Sequence, residues 1–242
     1  MLVKDIYDIL DELSPFDTQE KWDNSGLNVG SLNNDISEIV LSLDIDEDLI
    51  HKAKEKTLFI VHHPIIFGKL DSINIDKYPS NLISKMIKKD ISLIAMHTNF
   101  DKSHLNRYVF EKVLKFNLKE ENDFICIGDV NLSFEELLNI LKNALNLKSF
   151  KVVNKKDKIK SIALTTGAGA SLIDMVEAEC FLTGDIKYHD AMKALSENKM
   201  LIDIGHFESE QFFVDAMKLL LNSMAISAII TQSKNPFEII TL

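Results

Sequence analysis

Cysteine is scarce: the chain has two in 242 residues, Cys126 and Cys180, and they form no motif. That excludes a disulfide scaffold and a Cys-rich structural zinc site, and it fits a reducing compartment such as the cytoplasm. Basic residues are outnumbered, 27 Lys+Arg against 37 Asp+Glu, for a net charge of −10. This sign argues against broad electrostatic binding to nucleic acid, which needs a basic stripe to displace counterions. It leaves room for a small anion held by metals or backbone amides. No apolar run approaches the roughly 18 residues of a membrane span. The opening MLVKDIYDILDEL mixes charges into its apolar pattern, unlike a secretory signal. There are only four prolines and eight glycines, so glycine clusters stand out. What is present is ordinary globular material, 46% hydrophobic and 26% charged. At about 100–200 residues per domain, the length allows one large domain or two lobes.

Apolar runs alternate with amphipathic stretches. Leu2, Ile6, Ile9, Leu10 and Leu13 share one face of an expected opening helix. Strands are expected at 38–45, 57–61, 91–96, 158–166, 180–184, 200–204 and 225–231, with helices between them. One of those helices starts on a capping box at Ser133 and Glu136. This alternation predicts an α/β fold with mainly parallel sheets, because parallel neighbours need helical crossovers. The polar stretch from Lys115 to Asn122 is the best boundary between two lobes, taken as 1–118 and 119–242. His62, His63, His97 and Asp101 fall in the first lobe, His206 and Glu210 in the second.

Three apolar runs end on histidine: TLFIV runs into His62 and His63, ISLIAM into His97, and MLIDIG into His206. Ligands of open α/β sheets bind beyond the carboxyl ends of the strands. His97 and His206 are each followed four residues later by a carboxylate, Asp101 and Glu210, a spacing that shares a helix face. One strand-end histidine is ordinarily a hydrogen-bonded polar residue, but six such residues together point to metal. Imidazole with carboxylate and no thiolate suits Zn, Mn, Fe or a similar borderline ion. Adjacent His62 and His63 would face opposite sides of a regular strand. At a strand end before Pro64 they can diverge toward two ions, with Asp101 or Glu210 as the bridge.

Three further segments could complete a site. TTGAGA (165–170) follows a strand, and its amides, including that of Gly167, could cradle an anion. LTGDIKYHD (182–190) offers Asp185, Lys187 and His189. WDNSGLNVG (22–30) carries the only tryptophan, with Asp23 and Asn24, in an expected loop that could wall a cleft. His51 and His104 read as solvated helix positions.

WDNSGLNVG, VHHPIIF, MHTNFD, TTGAGA, FLTGDIKYHD and GHFESE, in this order, resemble the GTP cyclohydrolase 1 type 2 homologues, also called NGG-interacting-factor-three-like proteins. The likeness runs from about Trp22 to Glu210 and is to the short form, with no long central insertion. It implies two similar interlocked α/β lobes with a dinuclear metal site between them, and a toroidal homohexamer. It also implies that His62 and His63 each bind one of two divalent ions (Zn, Fe or Mn). Asp101, His206 and Glu210 would complete the pair, Glu210 bridging, and His97 would be an edge ligand or proton-transfer group. Two departures stand out: Asp185 where the family often has Glu, and Phe207 where it has Tyr or His. The implied activity converts GTP and water to 7,8-dihydroneopterin triphosphate and formate, a step toward folate and other pterins. Lys69, Lys102 and Lys187, with the TTGAGA amides and Asn24, are the candidate contacts for GTP. A metal-delivery chaperone or scaffold, or a dimetal phosphoesterase, are the alternatives.

Overall fold

A computed structural model of the chain describes residues 1–231 and 233–240. Gln232, Thr241 and Leu242, within the span of the expected second lobe, lie outside them. The first elements are α1 (Val3–Leu13), β1 (Gly26–Val29), β2 (Glu38–Ser42), α2 (Glu47–Lys52), β3 (Thr57–Val61), α3 (Ser80–Lys88), β4 (Ser92–Ala95) and the single turn α4 (Thr98–Phe100). Next come α5 (Asn106–Tyr108), flanked by π-helical turns at Asp101–Leu105 and Val109–Val113, then β5 (Glu120–Asn122), β6 (Ile125–Ser133), α6 (Phe134–Leu145), β7 (Lys151–Val153) and β8 (Lys158–Leu164). The last are β9 (Cys180–Thr183), α7 (Tyr188–Ser196), β10 (Met200–Asp203), α8 (His206–Glu210), α9 (Phe213–Ser223) and β11 (Ile229–Ile230). The chain forms two compact units. One comprises Met1–Phe100 with Phe213–Lys234, the other Asp101–Phe212 with the segment from Asn235 on.

The first unit holds a sheet of order β1-β4-β3-β2-β11. Its centre, β2-β3-β4, is parallel, and β11 extends it in parallel on β2. All five residues of β3 are buried, which is why TLFIV reads as an unbroken apolar run rather than an alternating one. Val40, Phe59, Val61, Leu93 and Ala95 meet Leu82, Ile83 and Met86 of α3 in one core. α1 buries Val3, Ile6 and Leu10, one helical stripe, and the Asp5 carboxylate accepts from the Leu2 amide at 2.8 Å to close its first turn. The segment expected as a loop at 22–30 contains β1, a short edge strand antiparallel to β4. Of the expected strand at 225–231, only Ile229–Ile230 pairs.

The second unit repeats the plan. Its sheet runs β5-β6-β8-β9-β10-β7, with a parallel centre β8-β9-β10 and antiparallel strands on both sides. Ile127, Ala163, Phe181 and Leu201 form its core with Ile173 and Ala194. The capping box of α6 forms as expected: the Ser133 amide donates to Glu136 Oε2 at 2.8 Å, and the Glu136 amide to Ser133 Oγ at 3.3 Å. After β8 the expected helix is a 3-10 turn, Ala170–Met175. The α/β expectation therefore holds, and the sheets differ from a purely parallel reading only at their flanks. Among the described residues, no helix is long and apolar enough to cross a membrane.

Both cysteines are free and buried, and burial pushes each thiol up to about 12. Since the thiolate is the reactive form, the native protein should show no fast reaction with a thiol-specific disulfide reagent at pH 8. Two equivalents should react once denaturant is added; rapid native-state labelling would contradict this burial.

Candidate metal centre

The three parallel strands of the first unit deliver its histidines to one place. Register pairs Ser42 with Val61 and Val61 with Ala95, so the residues that follow β2, β3 and β4 emerge side by side at the carboxyl edge. His62 and His63 follow β3 directly, and His97 follows β4 by one residue. Their ring centroids lie 4.9 Å apart for His62–His63, 5.1 Å for His62–His97 and 5.5 Å for His63–His97. One ring nitrogen from each falls within 4.8 Å of the others, close enough to hold a metal ion.

The orientation of each ring is fixed from behind. His62 Nδ1 meets the Met96 carbonyl at 2.8 Å, His63 Nδ1 meets Asp44 Oδ1 at 2.7 Å, and His97 Nδ1 meets Asp23 Oδ1 at 2.8 Å. A carbonyl or carboxylate oxygen can only accept, so each Nδ1 donates, and in the neutral ring Nε2 carries the lone pair. That tautomer is what a divalent ion requires, and a carboxylate or carbonyl behind the ring is the usual support of a metal-binding histidine. Asp23 is the most heavily engaged of these acceptors. The Thr98 amide and hydroxyl donate to its other oxygen at 3.0 and 2.5 Å. Burial pushes the Asp23 carboxyl up, but the hydrogen bond and charge of His97, with Thr98, outweigh it and hold the group well below the usual carboxylate range.

The second unit builds the same support at the carboxyl edge of β9 and β10. Thr183 pairs with Asp203, so Asp185 and His206 emerge together, and His206 Nδ1 meets Asp185 Oδ2 at 2.7 Å. One helical turn on, Glu210 Oε2 lies 2.9 Å from His206 Nε2. With Nδ1 donating to Asp185, two electron-rich atoms face each other, and only a shared proton or a cation reconciles them. Two ligands of one ion, each about 2.0–2.2 Å from it, sit about 3 Å apart at a near-right angle. Asp101 adds a second buried carboxylate whose oxygen lies within 4.8 Å of that of Glu210. Burying two like charges side by side costs several kcal/mol unless a cation neutralises them. The donor set thus fits divalent metal.

The glycine loop serves this arrangement directly. Gly167 has φ +62°, and a Cβ there would come within 1.9 Å of Glu210 Oε1. Its amide donates to Ser209 Oγ at 3.0 Å, the Thr166 amide to Asn106 Oδ1 at 2.7 Å and the Gly169 amide to Thr183 Oγ1 at 2.8 Å. These three amides are spent inside the unit, and what the loop supplies is clearance for Glu210.

A family model described as Duf34/NIF3 (NGG1p interacting factor 3) matches residues 1–236. The chain belongs to this family. A Campylobacter jejuni protein named GTP cyclohydrolase 1 type 2 homolog is 48% identical over 240 residues, 98% of this chain and 99% of that protein. A Helicobacter pylori protein named GTP cyclohydrolase 1 type 2 is 42% identical over 241 residues, covering 99% of each. Among solved structures, a Staphylococcus aureus protein at 26% identity superposes with a TM-score of 0.86 over 99% of both chains.

The remaining expected residues of this Duf34/NIF3 chain are placed as follows. Asn24 is a brace: its side-chain amide donates to the Ile66 carbonyl at 2.9 Å. Lys69 and Lys187 are exposed, whereas Lys102 is half-buried with its ammonium 5.0 Å above the Phe124 ring. His189 is exposed against Tyr188, and His51 is exposed on α2. His104 is half-buried rather than solvated, and burial, then the charge of Arg107, lowers its pKa. Sequence reasoning missed Asp44, and it missed the role of Asp23 and Asp185 behind the rings. For Asp44 and Asp185 the available signal was an acidic residue just past a strand that neighbours a histidine-ending one; Asp23, ahead of β1, carried no such signal.

Replacing Gly167 by Ala should displace Glu210 and lower divalent-metal affinity at least tenfold while the circular dichroism spectrum is kept. Metal content after dialysis, measured by plasma mass spectrometry, reads this out, and full retention would contradict the packing argument. Asp44→Ala should weaken metal binding by about 10–100-fold, the usual cost of losing such a carboxylate. A competitive chelator titration measures it.

Proposed function

We propose that this protein is a dinuclear metal-dependent hydrolase that converts GTP and water to 7,8-dihydroneopterin triphosphate and formate. The observation that carries the metal half of this reading is the set of four histidines with Nδ1 engaged from behind, beside buried carboxylates. In the proposal His62, His63, Asp101, His206 and Glu210 hold two divalent ions, Zn, Fe or Mn. Chain connectivity supports bringing these donors together. Asp101 follows His97 by four residues, and Glu210 precedes by three the Phe213 whose ring lies 5.1 Å from that of His62. At most about 3.6 Å per residue, neither carboxylate can stray far from the histidines. The GTP half is supported by the names of the Campylobacter and Helicobacter relatives.

What divalent ions supply there is Lewis acidity, which brings the ionisation of water close to neutral pH. The chain's own residues do the rest. His97, oriented by Asp23, takes and returns protons through Nε2 as water adds to the guanine C8 and as the formyl group leaves. Lys69 and Lys187 are free to meet the triphosphate from solvent, with Lys102 and Asn24 nearer the fold. A cytoplasmic, ring-shaped homohexamer is part of the same proposal and rests on the family resemblance.

The test is a paired assay on the wild type and His63→Ala, each with its metal quantified. GTP turnover is followed by formate release and pterin fluorescence, with other nucleotides as controls. GTP-specific turnover in the wild type and its loss with the metal in the variant is the expected result. Two tightly held ions without GTP turnover would overturn the substrate and favour a phosphoesterase or a metal-delivery role.

A further inference from the structure

Trp22 and Phe67 are large aromatic side chains left 56% and 60% exposed. They form one corner: their ring centroids lie 5.7 Å apart with the planes tilted by 42°. Both present to the same third ring, His97, at 5.9 Å from Trp22 and 5.8 Å from Phe67, each nearly edge-on. Neither ring buries the other, so outward π-faces stay open beside a histidine of the donor triad.

The corner is rigid where it is built. The Asn24 side-chain amide donates to the Ile66 carbonyl at 2.9 Å, tying the Trp22 loop to the Phe67 loop. Asn28 joins the two as well: its side-chain amide donates to the Asn24 carbonyl at 2.9 Å, and its Oδ1 accepts from the Ile66 amide at 3.5 Å. The Ser25 amide donates to Gln19 Oε1 at 2.7 Å, and Asp23 is locked by His97 and Thr98. A pre-formed aromatic surface loses little freedom when a ligand arrives.

Metal ions and small anions have no use for such a surface; a flat aromatic ring does. The geometry points to Trp22 and Phe67 as the stacking platform for the purine base of the substrate, seated so that its reacting edge faces His97. This rests on the nucleotide reading above and adds the residues that would select a heteroaromatic ring. Stacking of a base on an aromatic side chain is tolerant of base identity, so the platform recognises the ring class and other contacts distinguish guanine.

Because Trp22 is the only tryptophan, its fluorescence reports on the platform directly and without turnover. Titrating the metal-loaded full-length protein with GTP should quench that emission saturably, ATP should quench it too, and inorganic tripolyphosphate should not. Phe67→Leu should raise the half-saturating GTP concentration roughly tenfold, and Phe67→Tyr should restore it. In turnover, the Leu variant should raise KM more than it lowers kcat. Quenching by ATP and GTP without any formate would retain the platform while the cyclohydrolase reading fails. GTP turnover with emission unmoved and KM unchanged in Phe67→Leu would overturn the platform while that reading stands. Equal quenching by tripolyphosphate, or a blue-shifted emission insensitive to nucleotides because a second copy covers the corner, would also overturn it.

Discussion

A hydrogen bond to Nδ1 is the constraint on which the histidines of both units depend. An imidazole has two nitrogens and one mobile proton, and without a fixed acceptor either nitrogen could carry it. Here a backbone carbonyl holds the proton on His62, and aspartates hold it on His63, His97 and His206. Each ring is thereby set in both tautomer and direction. A carboxylate behind a metal-binding ring also strengthens its hold on a cation. Removing the acceptors would leave the same four histidines with a rotational choice, and the donor set would no longer be defined.

Three of those acceptors, the Met96 carbonyl, Asp44 and Asp185, are where they are because of parallel strand pairing. A parallel neighbour ends at the same edge of the sheet, so a residue just past one strand lies beside the residue just past the next. Asp44 past β2 reaches His63 past β3, and Asp185 past β9 reaches His206 past β10. The same device appears in both units, each with three central parallel strands and a site at their carboxyl edge. An antiparallel neighbour reaches the same edge only with the residues before its start, which is how Asp23, ahead of β1, meets His97 past β4. The antiparallel strands present, β1, β5, β6 and β7, flank these centres.

The strand-end histidines were legible because buried parallel strands leave continuous apolar runs, and a histidine after TLFIV or MLIDI breaks the run visibly. The fold class followed from the same rhythm, as did the capping box of α6. The flanking strands were not legible. Gly26–Val29 has Gly and Asn in a four-residue edge strand, and β6 passes from a buried half to an alternating, partly exposed one. The acceptors were hidden for another reason: Asp23 lies 74 residues from His97, Asp44 19 from His63 and Asp185 21 from His206. Their pairing is set by register across a sheet, which no local spacing encodes. The glycine loop was legible as a feature but not in its role. A TTGAGA turn after a strand looks the same whether its amides face a ligand or its missing side chain makes room for Glu210.

That role changes the electrostatics of any anionic ligand. The chain carries a net charge of −10, and carboxylates stand beside the histidines of each unit, Asp23 and Asp44 in the first, Asp101, Asp185 and Glu210 in the second. With the Thr166, Gly167 and Gly169 amides engaged internally, the loop that would ordinarily cradle phosphate has little to offer one. A polyanion approaching either set meets repulsion unless divalent ions offset the carboxylates, and an exposed lysine, Lys69 in the first unit or Lys187 in the second, can compensate only part of it, screened as it is by solvent and salt. Under the proposed function metal binding and anion binding would therefore be linked: each ion bound would remove charge that excludes the ligand, and by reciprocity a bound polyanion would tighten the hold on the ions.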